Sequence, residues 1–205
     1  MYIIGLTGNI ATGKSTVAHL LRARGAEVID ADRLAHETML PGTAVWAAIR
    51  RRFGPAVIAP DGTIDRRRLG GIVFADPAAL ADLEAITHPA VTVLLEERLR
   101  GLRSRRPQPA VVVIEAIKLL EAGLGVLCDA VWVVTAPREA QIERLMRTRR
   151  LTPEQAALRI DAQPPAETHI ARADVVIAND GSLVDLERQV QAAWDPLQST
   201  HARGS

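Results

Sequence analysis

Tyr2-Ile3-Ile4-Gly5-Leu6-Thr7 runs straight into Gly8-Asn9-Ile10-Ala11-Thr12-Gly13-Lys14-Ser15, and apolar residues then recur at Val17, Leu20 and Leu21. The order is a buried strand, a glycine-bounded loop and a helix from Lys14 to Arg24, stopped at Gly25. The loop fits G-x-x-x-x-G-K-[ST] in full. Glycines let such a loop wrap until successive backbone N–H groups converge on phosphate oxygens. The helix behind it aims the positive end of its dipole at the same anion. Gly8, Asn9, Ile10, Ala11, Thr12, Gly13, Lys14, Ser15 and Thr16 are therefore expected to hold a nucleoside triphosphate. Lys14 would reach the β- and γ-phosphates, and the Ser15 hydroxyl would ligate Mg²⁺.

Further short apolar runs follow: Glu27-Val28-Ile29-Asp30, Val111-Val112-Val113-Ile114-Glu115, Ala130 to Thr135, and Val175-Val176-Ile177-Ala178. Their hydrophobicity is continuous, as in parallel strands covered on both faces. Separated by helical stretches, they predict an open α/β fold whose ligands bind at the carboxyl ends of the strands. Residues 35–109 lack a strand signal and read as helices interrupted at Pro41-Gly42, Gly54-Pro55, Pro60-Asp61-Gly62, Pro77 and Pro89, a helical insertion beside the sheet. A second helical stretch, 138–172, carries Arg138, Arg144, Arg147, Arg149 and Arg150. The polar ending, Gln198 to Ser205, is expected to fray.

The chain of 205 residues is 48% hydrophobic and 24% charged, with a net charge of +1. That balance argues against a nucleic-acid coat or a polybasic membrane anchor. Six aromatic residues are too few for a base-stacking platform. Cys128 is alone, which leaves no disulfide framework, and it is expected to be a small buried residue. The first residues show no charged leader, and no apolar stretch approaches the roughly 18 residues of a membrane span. The expectation is a cytoplasmic protein, a monomer or small homo-oligomer, with no nucleic-acid or membrane partner. Of 25 basic residues only Lys14 and Lys118 are lysines. The runs Arg50–Arg52, Arg66–Arg68 and Arg103–Arg106 are expected to be solvated helix faces.

The motifs D-x-x-G and N-K-x-D of nucleotide switches are absent, and a small-molecule kinase is the leading reading. Asp30 and Asp32, in Val28-Ile29-Asp30-Ala31-Asp32-Arg33, are expected at a strand end, pointing the same way towards the loop. One carboxylate would accept the proton of the attacking hydroxyl. The bland alternative is a helix cap, which Asp32 would supply for a helix starting at Arg33. Asp65 is expected to cap a further helix.

Together these segments resemble the dephospho-CoA kinases, over nearly the whole chain and in order. The resemblance runs through the phosphate loop, Asp30-Ala31-Asp32, Asp61-Gly62-Thr63-Ile64-Asp65-Arg66, Val73-Phe74, His88-Pro89, Leu119-Leu120-Glu121, Arg144-Leu145-Met146-Arg147, Gln163, and Ala173 to Gly181. It implies ATP-dependent phosphorylation of the ribose 3′-hydroxyl of dephospho-CoA, the last step of coenzyme A synthesis. A nucleoside or nucleotide kinase is the alternative, and an NTP-gated binding protein a more distant one. The resemblance also implies a P-loop kinase fold with a five-stranded parallel sheet between helical layers. Its parts would be a core (1–34, 110–137 and 173–197), a substrate domain (35–109) and a lid (138–172).

By the same resemblance, Asp32 is the base, Thr7 a substrate contact, and His88 part of the acceptor pocket, although a lone histidine before proline also reads as a helix-end or core residue. Arg66 would meet the substrate's pyrophosphate. Arg147 would stabilise the transferred phosphoryl, with Arg144 supporting ATP and Asn179 near its base. The segment Glu115-Ala116-Ile117-Lys118-Leu119-Leu120-Glu121 departs from the family pattern of an acidic residue, Pro-Leu-Leu and glutamate. Glu115 would stand near Mg²⁺, held through water. Lys118 would pair with Glu121 on a short helix or reach an anionic group of the substrate.

Overall fold

The five apolar runs form five strands at the expected residues: β1 (Tyr2–Thr7), β2 (Glu27–Asp30), β3 (Val111–Glu115), β4 (Ala130–Thr135) and β5 (Val175–Ala178). The structure, a computed structural model, describes residues 1–201. The strands make one parallel sheet in the order β2-β3-β1-β4-β5, with Tyr2 opposite Val111, Ile4 opposite Ala130 and Trp132 opposite Val175. Every residue of β3 is buried, which is why its sequence does not alternate. Alternate positions Ile4, Leu6, Val113, Trp132 and Val134 share one face of the sheet, and there they join Val17 and Leu21 of α1 (Lys14–Ala23) and Val190 and Trp194 of α9 (Leu183–His201). Gly25, at φ +95°, ends α1, with its N–H donating to Arg22 O and that of Ala26 to Leu21 O. This paired closure at a left-handed residue is what a glycine just past a helix provides.

The chain divides into two compact units, Met1–Ile29 with the chain from Arg105 onward, and Asp30–Ser104. The first holds the sheet and also the helices α6 (Arg138–Arg149), α7 (Pro153–Asp161) and α8 (Ala166–Ile170). Thr152 and Gln155 form a reciprocal capping box at the start of α7. Helix α9 extends to His201, so the fraying expected from Gln198 is replaced by helix up to that point, and the rest of that expectation lies outside the described residues. Cys128 is half-buried rather than buried.

The second unit consists of α2 (Ala31–Thr38), α3 (Ala44–Phe53), a 3-10 turn at Pro55–Val57, α4 (Arg66–Ala75) and α5 (Pro77–Ser104). Its core is Val45, Ile49, Val57, Ile64, Leu69, Val73 and Ala79. The Pro60-Asp61-Gly62 turn is closed by an isolated antiparallel bridge between Ile58 and Ile64. Trp46 lies against this turn and donates its indole N–H to Gly62 O at 2.8 Å, with the Arg50 guanidinium 5.6 Å from its ring. The other arginines of these runs are mostly exposed, as at Arg52, which pairs with Asp82 at 2.6 Å.

Two expectations are corrected by α5. Pro89 does not interrupt it, and the helix runs unbroken for 28 residues. Proline removes one N–H from the ladder, the donor to Ala85 O; on either side Thr87 Oγ1 donates to Leu83 O at 2.9 Å and Thr92 Oγ1 to His88 O at 3.0 Å, bonds within the helix that do not replace it. By length and mean hydropathy α5 is also long and apolar enough to cross a membrane, which a search for an uninterrupted apolar run overlooks. It packs instead against α2, α3 and α4.

Candidate active site

The phosphate loop leaves β1 at Gly8 and enters α1 at Lys14. Gly8 (φ +153°) and Gly13 (φ +96°) adopt backbone angles that side chains resist. A Cβ on Gly8 would overlap the Val134 carbonyl of β4, and one on Gly13 would overlap the Asn179 amide. The glycines therefore let the loop lie directly on the sheet and on Asn179. Ala11, at φ +60°, bends the loop at its tip. No side chain caps α1. An uncapped helix start presents unsatisfied amides to any anion that enters.

Glu115, at the carboxyl end of β3, reaches under this helix start. Its Oε1 accepts from Lys14 Nζ at 3.0 Å and from Ser15 Oγ at 3.0 Å. The Lys14 and Glu115 side chains are only 10% and 11% exposed, so the pair sits in a low-dielectric position where charges need each other. Ser15 Oγ and the Glu115 carboxylate are hard oxygen donors, the type Mg²⁺ takes when phosphates and water complete its shell. The chemistry of this donor pair fits the ion.

Loop and helix start line a cleft of about 490 Å³, together with Ile117, Arg144, Arg147, Thr148, Arg149, Asn179 and Gly181. Arg147 is exposed within this lining. Arg144 is committed to the protein: Nη1 donates to Ala11 O and Thr12 O at 3.1 Å each, and Nη2 to Asn179 O at 3.2 Å. Asn179 Nδ2 also donates to Thr12 O, at 2.8 Å. These two residues grip the loop's carbonyls, and inside the loop the Thr12 N–H donates to Asn9 O at 3.3 Å. Arg144, expected to support ATP, thus supports the loop while it also lines the cleft.

Thr7, expected at the substrate, is fully buried, and its hydroxyl donates to Ile117 O at 3.0 Å. It fastens β1 to the segment that departs from the family pattern. That segment is a run of turns rather than the short helix expected, with Ala122 N donating to Lys118 O at 2.9 Å. Lys118 is exposed. Glu121 bonds at 2.8 Å to His169 of α8, a histidine only 3% exposed that nothing in its sequence surroundings singled out.

The aspartates fall in the second unit, and the strand-end geometry expected of them is corrected. Asp30 ends β2 and is itself the N-cap of α2, accepting from Arg33 N at 2.9 Å. Asp32 lies in the first turn of α2, where its charge favours the helix dipole. Capping by Asp32 is likewise replaced by capping by Asp30. One turn beyond Asp32 comes His36, whose Nε2 meets Arg66 Nη1 at 2.9 Å. Burial, then the Arg66 charge, hold the His36 pKa below its ordinary value, against the opposing pull of Asp32 and Asp30. A neutral ring accepts the guanidinium's hydrogen bond. The i, i+4 spacing of Asp32 and His36 was the available signal for this third residue. Asp65 caps α4 through Arg68 N at 3.0 Å, which puts Arg66 in that helix's first turn. His88 is half-buried in the middle of α5, not at a helix end.

Comparison with known proteins supplies the acceptor's chemistry. The family model for dephospho-CoA kinase matches residues 2–185. The chain belongs to the dephospho-CoA kinase family. The dephospho-CoA kinase of Geobacter sulfurreducens is 48% identical over 194 residues, 95% of this chain and 98% of that one. The crystal structure of TT1252 from Thermus thermophilus superposes with a TM-score of 0.81 at 40% identity, covering 96% of this chain and 97% of the other. Dephospho-CoA kinase from Campylobacter jejuni gives 0.70 at 27% identity, with 97% and 98% covered. The protein is thus a P-loop kinase of α/β fold, and its activity is ATP-dependent phosphorylation of dephospho-CoA in coenzyme A biosynthesis.

Proposed function

We propose that the chain transfers the γ-phosphoryl group of ATP in line to the ribose 3′-hydroxyl of dephospho-CoA, with Asp32 as the group that orients this hydroxyl and accepts its proton. The observation that carries the reading is the Lys14–Glu115–Ser15 cluster beneath the uncapped start of α1, because it unites a mobile cation, an acidic metal partner and open amides. On binding ATP, Lys14 exchanges Glu115 for phosphate oxygens. Ser15 and Glu115 would hold Mg²⁺, whose charge would offset that of the phosphates. Arg147 lines the same cleft and is the guanidinium for the transferred phosphoryl.

Asp32 acts late, since a loose transition state leaves the nucleophile's proton in place until bond formation is advanced. Arg66, tied to the neutral His36, is the cation for the acceptor's pyrophosphate, and His88 and Lys118 are further contacts of the acceptor. In this reading residues 35–109 bind the acceptor, and residues 138–172 form a lid over the nucleotide. The working form is a cytoplasmic monomer or small homo-oligomer that handles small molecules only. The test is ADP release with dephospho-CoA, nucleosides, nucleoside monophosphates and pantetheine derivatives as acceptors. Acceleration by dephospho-CoA alone is expected, with Asp32→Asn lowering kcat by about 10²–10⁴-fold and leaving the KM for ATP nearly unchanged. Equal acceleration by a nucleoside, or near-normal turnover of Asp32→Asn, would overturn the assignment.

A further inference from the structure

Two amides of the phosphate loop are already taken, that of Thr12 by Asn9 O within the loop and that of Ile10 by a side chain from outside it. Ile10 N–H donates to Gln163 Oε1 at 2.6 Å, and beside it Asn9 Nδ2 donates to Pro164 O at 3.0 Å. Both partners come from the short connection between α7 and α8, about 150 residues further along the chain. The connection is itself pinned on both sides. Gln163 N closes the end of α7 on Ile160 O at 3.0 Å, and α8 is anchored by buried His169 on Glu121. Gln163 is therefore presented to the loop by a fixed backbone.

We infer that Gln163 is a positioning residue of the kinase: its side-chain oxygen ties the α7–α8 connection to the tip of the phosphate loop, sets the loop's shape for ATP, and keeps the adjoining helices closed over the reacting phosphate. The inference rests on the reading of Gly8–Ser15 as the ATP site. The choice of side chain follows from the ligand. An acceptor is required, because a backbone N–H left without one is costly. A carboxylate would also accept, but it would add a negative charge beside a polyphosphate. Asparagine is one methylene shorter. Glutamine is the neutral acceptor with the reach observed.

Hydrogen exchange at the Ile10 amide, read by NMR in the nucleotide-free protein, tests the tether without reference to activity. Gln163→Met keeps the bulk and removes the acceptor, so Ile10 exchange should rise about tenfold or more. The KM for ATP should rise about tenfold, the loss of one hydrogen bond, and ADP release without dephospho-CoA should grow relative to phosphoryl transfer, because water reaches the loosened site. Gln163→Glu retains an acceptor: Ile10 stays protected, while the KM for ATP still rises and falls back as salt screens the added charge. Unchanged Ile10 exchange in Gln163→Met would sink the tether. Faster exchange with unaltered KM and unaltered coupling would sink its role in positioning. Failure of the wild-type protein to bind ATP in a calorimeter would instead remove the underlying reading, leaving the exchange result to judge the tether alone.

Discussion

At the scale of single residues, Glu115 is the most consequential side chain in the site. One of its oxygens accepts from both Lys14 and Ser15, so a single anion holds the loop's cation and hydroxyl together. Glu115→Gln keeps the shape and an acceptor while removing the charge. The Mg²⁺ concentration for half-maximal activity should then rise about 10–100-fold, whereas the KM for dephospho-CoA should change little. A magnesium titration of the two proteins checks this. Cys128 behaves in the opposite way, as a group that the fold keeps neutral. Burial, with the Asp129 charge added, pushes its pKa from 9.0 up to about 12. Between those values the unfolded chain releases the thiol proton and the folded chain retains it. The unfolded state then binds fewer protons, and stability falls as pH rises. Urea melts at pH 8 and pH 10.5 should show a larger loss for the wild type than for Cys128→Ala, the comparison that separates the thiol from Tyr2, whose pKa burial also raises.

At the scale of elements, the five-residue helix α8 is too short to stand by propensity, and the His169–Glu121 contact supplies its anchor. His169→Ala should cost about 2 kcal/mol, through a lost hydrogen bond and the space left by a buried ring. Glu121→Gln, which still offers an acceptor, should cost clearly less in the same denaturant titration. This contact was not legible in the sequence, because it joins residues 48 apart, and the pattern that contains Glu121 does not extend to His169. The continuity of α5 was hidden for a different reason. Pro89 reads as a breaker, whereas the helix that contains it is held on both sides of the proline by its packing against α2, α3 and α4.

At the scale of the molecule, legibility follows the distance over which each signal acts. The central strands could be read because burial on both faces imprints β1, β3 and β4 on their own five or six residues, whereas the edge strands β2 and β5 are only partly covered and carry shorter apolar runs. The glycines, Lys14 and Ser15 could be read because a phosphate loop is a local object. The grip of Arg144 on the loop was not legible, since a basic residue on a helix says nothing about the carbonyls it will meet. The bond of Thr7 to the Ile117 carbonyl was equally hidden, because its partner lies 110 residues away. Strand geometry carried to Asp32 runs two residues past the end of β2, because Asp30 both ends β2 and caps α2.

The chain's three tryptophans, Trp46, Trp132 and Trp194, divide between the two units, the first in the helical one and the other two in the sheet-containing one. The protein is consequently its own two-channel fluorimeter. In a Trp132→Phe/Trp194→Phe background, the remaining emission comes from Trp46 and reports the helical unit alone. With Trp46→Phe it reports the nucleotide unit alone. Each substrate can then be assigned to the unit that senses it, without an extrinsic label on either.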